Sequence, residues 1–139
     1  MIPPRSQHLL RRRAGYGDTD QSGIVHHAVY LRWLEDARVD LWRSRGMDFA
    51  ELERSERVGM AVHSIEMRYH RAARFDDALD VEVWVGDLSR VRIRVDYRVW
   101  RDEELLMEAK VTLVCIHLDR MRAIRIPEAV RVCCEGGAE

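Results

Sequence analysis

The chain has 139 residues, 47% of them hydrophobic and 34% charged, a length that holds one domain over residues 1–139 and leaves no room for a second. Its 23 Lys and Arg nearly cancel 24 Asp and Glu, for a formal net charge of −1, so it lacks the basic excess of a nucleic-acid binder. No apolar run approaches the roughly 18 residues of a membrane span, and Met1-Ile2-Pro3-Pro4-Arg5 lacks the apolar core of a secretory signal; a soluble cytoplasmic protein is expected.

An alternating segment from His8 to Ala14 reads as a first strand. Gly15-Tyr16-Gly17-Asp18-Thr19-Asp20-Gln21-Ser22-Gly23 follows, too rich in glycine and turn-formers for regular structure. The period then changes: Tyr30, Trp33, Leu34, Ala37 and Leu41 recur at three- and four-residue steps, one apolar face of a helix from His27 to Arg45. Gly46 stands where a C-terminal glycine belongs, behind Arg43 and Arg45, which suit the negative helix end. A short second helix is expected over Phe49 to Glu56.

From Gly59 onward the pattern has period two. A strand is expected from Met60 to Tyr69, another around Val81, Val83 and Val85, a third through Val91 to Val99 and a fourth through Met107 to Cys115. Gly86-Asp87-Leu88-Ser89 and Arg101-Asp102-Glu103-Glu104 read as hairpin turns, and Pro127 as the end of the last strand. One long helix against an antiparallel sheet makes the fold class α+β. Of the three cysteines, Cys115 lies in a strand while Cys133 and Cys134 adjoin in the tail. Neither a disulfide framework nor a zinc spacing is present, so reduced structural thiols are expected.

The loop before the long helix holds the candidate chemistry. Asp18 and Asp20 stand two apart among glycines, and Gly23 allows a ligand to approach the backbone. His26 and His27 arrive where the helix begins, and a first helical turn presents unpaired N–H groups and the positive end of its dipole. Such a group polarises a carbonyl or stabilises an oxyanion, and a carboxylate just upstream can attack the carbonyl carbon or activate water. The same aspartate spacing also serves as turn and cap chemistry, and the residues alone leave both roles open.

Tyr16-Gly-Asp18-Thr-Asp20-Gln-Ser-Gly23-Ile-Val25-His-His27-Ala-Val-Tyr30, continuing to Glu35 and Arg38, resembles the signature of the 4-hydroxybenzoyl-CoA thioesterase family, especially its Tol–Pal-associated acyl-CoA thioesterase branch. Met67-Arg-Tyr69-His-Arg-Ala-Ala-Arg74-Phe-Asp-Asp77 resembles the family's later segment, so the likeness runs from about Leu9 to Ile126. It implies a hot-dog fold, one long helix wrapped by a curved antiparallel sheet of about five strands, assembled as a homodimer or homotetramer. It implies hydrolysis of an acyl-CoA or acyl-carrier-protein thioester at the dimer interface, with no cofactor required. Asp20 then matches the catalytic carboxylate, as nucleophile or general base, and Asp18 the member of the pair that does not attack. His27 matches the residue whose backbone N–H faces the thioester carbonyl. Gly23, Val25 and Tyr30 fall to substrate binding, Tyr30 as an aromatic near the acyl pocket. Arg90 resembles family positions near the nucleotide, with Arg71 and Arg74 as further phosphate candidates. A non-catalytic acyl-thioester binding module would use the same cleft.

Glu35 and Arg38 are spaced for an ion pair on one helix, and Glu35 is also a reserve candidate for the base. His63, His70 and His117 fall on different strands without ligand spacing, so no metal is assigned. Trp84 and Trp100 alternate out of phase with their valine neighbours, which expects exposed rings on the outer sheet face.

Overall fold

The computed structural model describes residues 8–136. The elements are β1 (His8–Arg13), a 3-10 turn (Tyr16–Asp18), α1 (His27–Ser44), α2 (Phe49–Glu56), β2 (Val58–Tyr69), β3 (Ala78–Leu88), β4 (Arg92–Arg101), β5 (Glu104–His117), a two-residue β6 (Arg122–Ala123) and α3 (Glu128–Cys134). The five long strands lie in the order β1-β3-β4-β5-β2, all neighbours antiparallel, with β6 added beside β5.

α1 exists because Tyr30, Trp33, Leu34, Ala37 and Leu41 form the buried stripe that the spacing implied. It packs mainly across β3 and β1, against the concave face of the sheet. Val83, Tyr97, Ala109 and Met67 occupy one rung of that face across β3, β4, β5 and β2, by the strand register. Gly46, at φ +86, closes the helix in the left-handed conformation expected of it. At the inner edge, His8 and Arg12 of β1 meet Asp40 and Asp36 of α1 at 2.7 and 3.3 Å. This is the hot-dog arrangement that the resemblance implied.

Three expectations change. The turn read at Gly86–Ser89 comes later: β3 continues to Leu88, and Gly86 lies in a β-bulge between Val85 and Asp87. A Cβ there would fall 2.5 Å from Arg94 Nη2 and 2.6 Å from Asp96 Oδ2, so the glycine makes room for the Arg94–Asp96 pair, bonded at 2.9 and 3.0 Å. Pro127 begins α3 as its N-cap instead of ending a strand, a role suited to its fixed φ and missing N–H. Cys133 and Cys134 are consequently buried in that helix. Trp84 and Trp100 do lie on the convex face, but Trp100 is only 4% exposed and donates Nε1–H to Glu82 at 3.0 Å. The Arg98 guanidinium, itself bonded to Glu82 at 2.7 Å, covers the half-buried Trp84 ring at 4.9 Å.

Candidate active site

The polar loop is held by its own short-range bonds. Asp18 Oδ2 accepts the Gly15 N–H at 2.8 Å and its carbonyl accepts the His26 N–H at 2.9 Å, so Asp18 is a structural clasp. Asp20 Oδ1 accepts from Ser22 N–H at 2.8 Å and, more weakly, from Ile24 N–H at 3.4 Å. Gly23, at φ +80, completes this turn by donating to the Asp20 carbonyl at 3.0 Å. Oδ2 of the exposed Asp20 has no hydrogen-bond partner among the described residues. The carboxylate is thus aimed by one oxygen and open at the other.

α1 starts beside this loop. His26 is the N-cap, its Nδ1 accepting the Ala28 N–H at 3.1 Å. The next N–H, that of His27, has no hydrogen-bond partner among the described residues. No acidic side chain lies in the first turn of α1, so the positive helix end is not neutralised from within.

The helix start opens on a cavity of about 240 Å³ lined by Ile24, Val25, His27, Tyr30, Tyr69, His70, Arg71 and Ala72. Three rings shape it: Tyr69 lies 5.0 Å from the His27 ring and 5.6 Å from that of Tyr30. Burial pushes the Tyr30 hydroxyl above its ordinary pKa, partly offset by a hydrogen bond with the Ala73 backbone, and burial raises Tyr69 as well. Both phenols are therefore neutral at physiological pH, donors and apolar walls but not bases. Among the described residues, one other hollow lies on the convex face beside Trp84 and Arg98 and another among Arg11, Asp80 and Asp102. Neither reaches the helix start.

Of the residues singled out from the sequence, Val25, His27 and Tyr30 line the cavity, and Asp20 and Gly23 stand in the loop that leads into it. Arg90 is elsewhere. It occupies the turn between β3 and β4, one strand length from the β3 end that adjoins the loop, on the order of 35 Å at about 3.3 Å per residue. Arg71 borders the cavity and pairs with Glu104 at 3.0 Å, while Arg74 is exposed. Glu35 meets Arg38 at 3.7 Å as its spacing implied. Arg38 also turns inward, its Nη1 lying 3.5 Å from the hydroxyl of buried Tyr97. Tyr69 and His70 were assigned no role from the sequence, because a contact between the end of β2 and the start of α1 leaves no periodic trace. Among the described residues no three His, Cys, Asp or Glu lie together in a way that could hold a metal ion, and no helix is long and apolar enough to cross a membrane.

Residues 14–132 match the thioesterase-like superfamily. The acyl-CoA thioesterase YbgC of Haemophilus influenzae is 31% identical over 119 residues, covering 86% of this chain and 88% of that protein. The acyl-CoA thioester hydrolase YbgC of Escherichia coli is 30% identical over 119 residues, covering 85% and 88%. The crystal structure of a hypothetical protein from Thermus thermophilus superposes with a TM-score of 0.86 at 32% identity, over 93% of this chain and 98% of that one. A matching sequence across the loop, the helix and the sheet, on a matching fold, leads to one conclusion: the chain belongs to the thioesterase-like superfamily.

Proposed function

We propose that the chain is an acyl-CoA thioesterase: R–CO–S–CoA and water give the carboxylic acid and free CoA thiol. The observation that carries this reading is the unpaired His27 N–H at an acid-free helix start, opening on an aromatic-walled cavity beside the loop of Asp20. The N–H polarises the thioester carbonyl and stabilises the charge that grows on its oxygen. The open Oδ2 of Asp20 either attacks the carbonyl carbon and expels CoA thiolate, forming an anhydride that water then cleaves, or takes the proton of a water that attacks directly and displaces the thiolate; in both the thiolate leaves as free CoA thiol. The names of the two YbgC relatives support CoA as the thiol. A carrier-protein thioester presents the same reacting group on the same pantetheine arm and is the alternative substrate.

A homodimer belongs to the proposal. Among the described residues one edge of β2 has no partner strand, and Val62, Ile65 and Tyr69 on that strand are exposed, as expected of a strand that pairs with another copy. Antiparallel pairing of two β2 edges brings the Ala61 end of one copy beside the Tyr69 end of the other. The register puts the β3–β4 turn at that Ala61 end, since Ala61 pairs Val114 and Val114 pairs Arg92. Arg90 of the partner subunit would then approach the mouth of the cavity, where a CoA phosphate could meet it. Pairing two such dimers into a homotetramer is the larger alternative. Three buried, unpaired thiols, Cys115, Cys133 and Cys134, support a reducing, cytoplasmic location.

The test is release of CoA thiol from a panel of short, long and aromatic acyl-CoAs and one acyl-carrier protein, by wild type and Asp20→Asn. Loss of the carboxylate should lower the rate at least ~10²-fold in a variant that folds normally. Equal rates would remove Asp20 from the mechanism and bring Glu35 forward. Tight binding without turnover by the wild type would instead favour a binding module.

A further inference from the structure

His70, Arg71 and Ala72 of the cavity lining begin a segment that runs on to Asp77 and contains no regular structure beyond the bridge of Arg74 to Ile24. Ala73 within it is fully buried. Its carbonyl accepts the Val25 N–H at 2.8 Å, two residues before α1 begins, and its backbone bonds the hydroxyl of Tyr30 in the first turn of that helix. The placement of the helix terminus therefore depends on the placement of this segment.

One side chain behind the wall binds the segment at several points. Arg101, the last residue of β4, donates Nη1–H to the Ala72 carbonyl at 3.1 Å and to Asp77 Oδ2 at 2.7 Å. The other edge of its guanidinium bonds Glu104 Oε1, at 3.1 Å from Nε and 2.5 Å from Nη2. Glu104 Oε2 in turn holds Arg71 Nε at 3.0 Å, and Asp77 Oδ2 also accepts the Arg74 N–H at 2.8 Å. Arg101 is three-quarters buried and is not among the residues lining the cavity. Planar, forked donors bridging two carboxylates and a carbonyl are a task for arginine, since an ammonium reaches only part of the set.

We infer that Arg101 is a positioning residue for the thioester site: by clamping Ala72 and Asp77, it holds Ala73 against Val25 and so sets the His27 N–H relative to the Asp20 loop. This rests on the site assignment under Proposed function. Displacement of reacting groups by about 1 Å can lower a rate on the order of 10²-fold, so the clamp acts on turnover while touching no substrate.

The experiment compares wild type with Arg101→Ala, Arg101→Lys and Asp77→Asn by two readouts, amide hydrogen exchange over residues 24–30 and steady-state hydrolysis. In folded Arg101→Ala the Val25 amide should exchange at least ~10-fold faster, reporting local opening, and kcat should fall about 10- to 100-fold with a smaller change in KM. Added guanidinium ion, which can bridge the same acceptors, should recover part of both the Val25 protection and kcat, and Arg101→Lys should lie between. If Arg101→Ala does not fold, the lysine variant and Asp77→Asn, which retain volume, decide the same link. Unchanged exchange, or faster exchange with wild-type kcat, overturns the inference. If wild type hydrolyses no thioester, the function reading fails, and the exchange measurement still decides whether Arg101 holds the helix start.

Discussion

The ring of Tyr69, at the end of β2, packs 5.0 Å from the ring of His27, at the first position of α1, although α1, α2 and β2 all intervene in the chain. That contact forms one side of the cavity and joins the helix terminus to the strand edge at which a second copy would add. An aromatic pair of this kind is worth about 0.5–1.5 kcal/mol. Tyr69→Ala should therefore raise KM for a good acyl-CoA substrate about 3- to 10-fold, whereas Tyr69→Phe, which keeps the ring, should leave it within about twofold. Steady-state kinetics on both variants checks this, and a Phe variant as impaired as the Ala variant would shift the role to the hydroxyl.

His27 separates backbone from side chain cleanly, because proline is best tolerated at the first position of a helix. His27→Pro removes the N–H and leaves the helix start in place. If that N–H faces the carbonyl oxygen, kcat should fall about 10²- to 10³-fold, the loss typical of one oxyanion donor. His27→Ala keeps the N–H and should fall about 10-fold or less. The reverse order would assign the chemistry to the imidazole.

The buried thiols make stability sensitive to alkali. Burial pushes Cys115 from 9.0 to about 11, and burial with the neighbouring Cys133 pushes Cys134 to about 12. The folded protein thus keeps protons that the unfolded chain sheds above pH 9, so their contribution is complete below pH 9 and is lost as pH rises through those values. At ~1.4 kcal/mol for each tenfold change, Cys115 alone accounts for about 2 kcal/mol lost by pH 11 and a little more above it. The urea midpoint should fall steeply between pH 9 and 11. Cys115→Ala should be less stable at pH 7 yet show a shallower alkaline slope, and an unchanged slope would count against the assignment.

The bulge at Gly86 offers a test of packing on the convex face. Gly86→Ala places a methyl against the Arg94 and Asp96 side chains, whose pairing it must displace. Overpacking of this size costs about 1–3 kcal/mol. Chemical denaturation should show that loss with thioesterase activity unchanged, since the face lies away from the helix start. A neutral substitution would mean that Arg94 relocates freely.

The long helix, the succession of strands along the chain and the thioesterase likeness were legible in the residues themselves. Each depends on local repetition or on a run of adjacent motif positions: the apolar stripe from Tyr30 to Leu41, the alternation through β4 and β5, and the Asp18 to Tyr30 signature. The errors fell where one residue type serves two local purposes. Gly86 permits a turn or a bulge, and the partner strand's Arg94 and Asp96 decided for the bulge. Pro127 ends a strand or begins a helix, and the apolar contacts of Val130, Cys133 and Cys134 decided for the helix.

Arg90 illustrates the boundary most clearly: its sequence position resembles a phosphate contact, yet the length of β3 separates it from the helix start within one chain. By itself the sequence determined the long helix, the main strands and the α+β class, and it marked the Asp20 loop and the helix start as candidates, because periodicity and capping act over a few residues. The tertiary structure alone decided the Tyr69–His27 wall, the Arg101 clamp on Ala72 and Asp77, and the burial of Trp100 under Glu82 and Arg98. Those relationships join residues from different strands and helices, and only strand register and helix packing bring them within bonding distance.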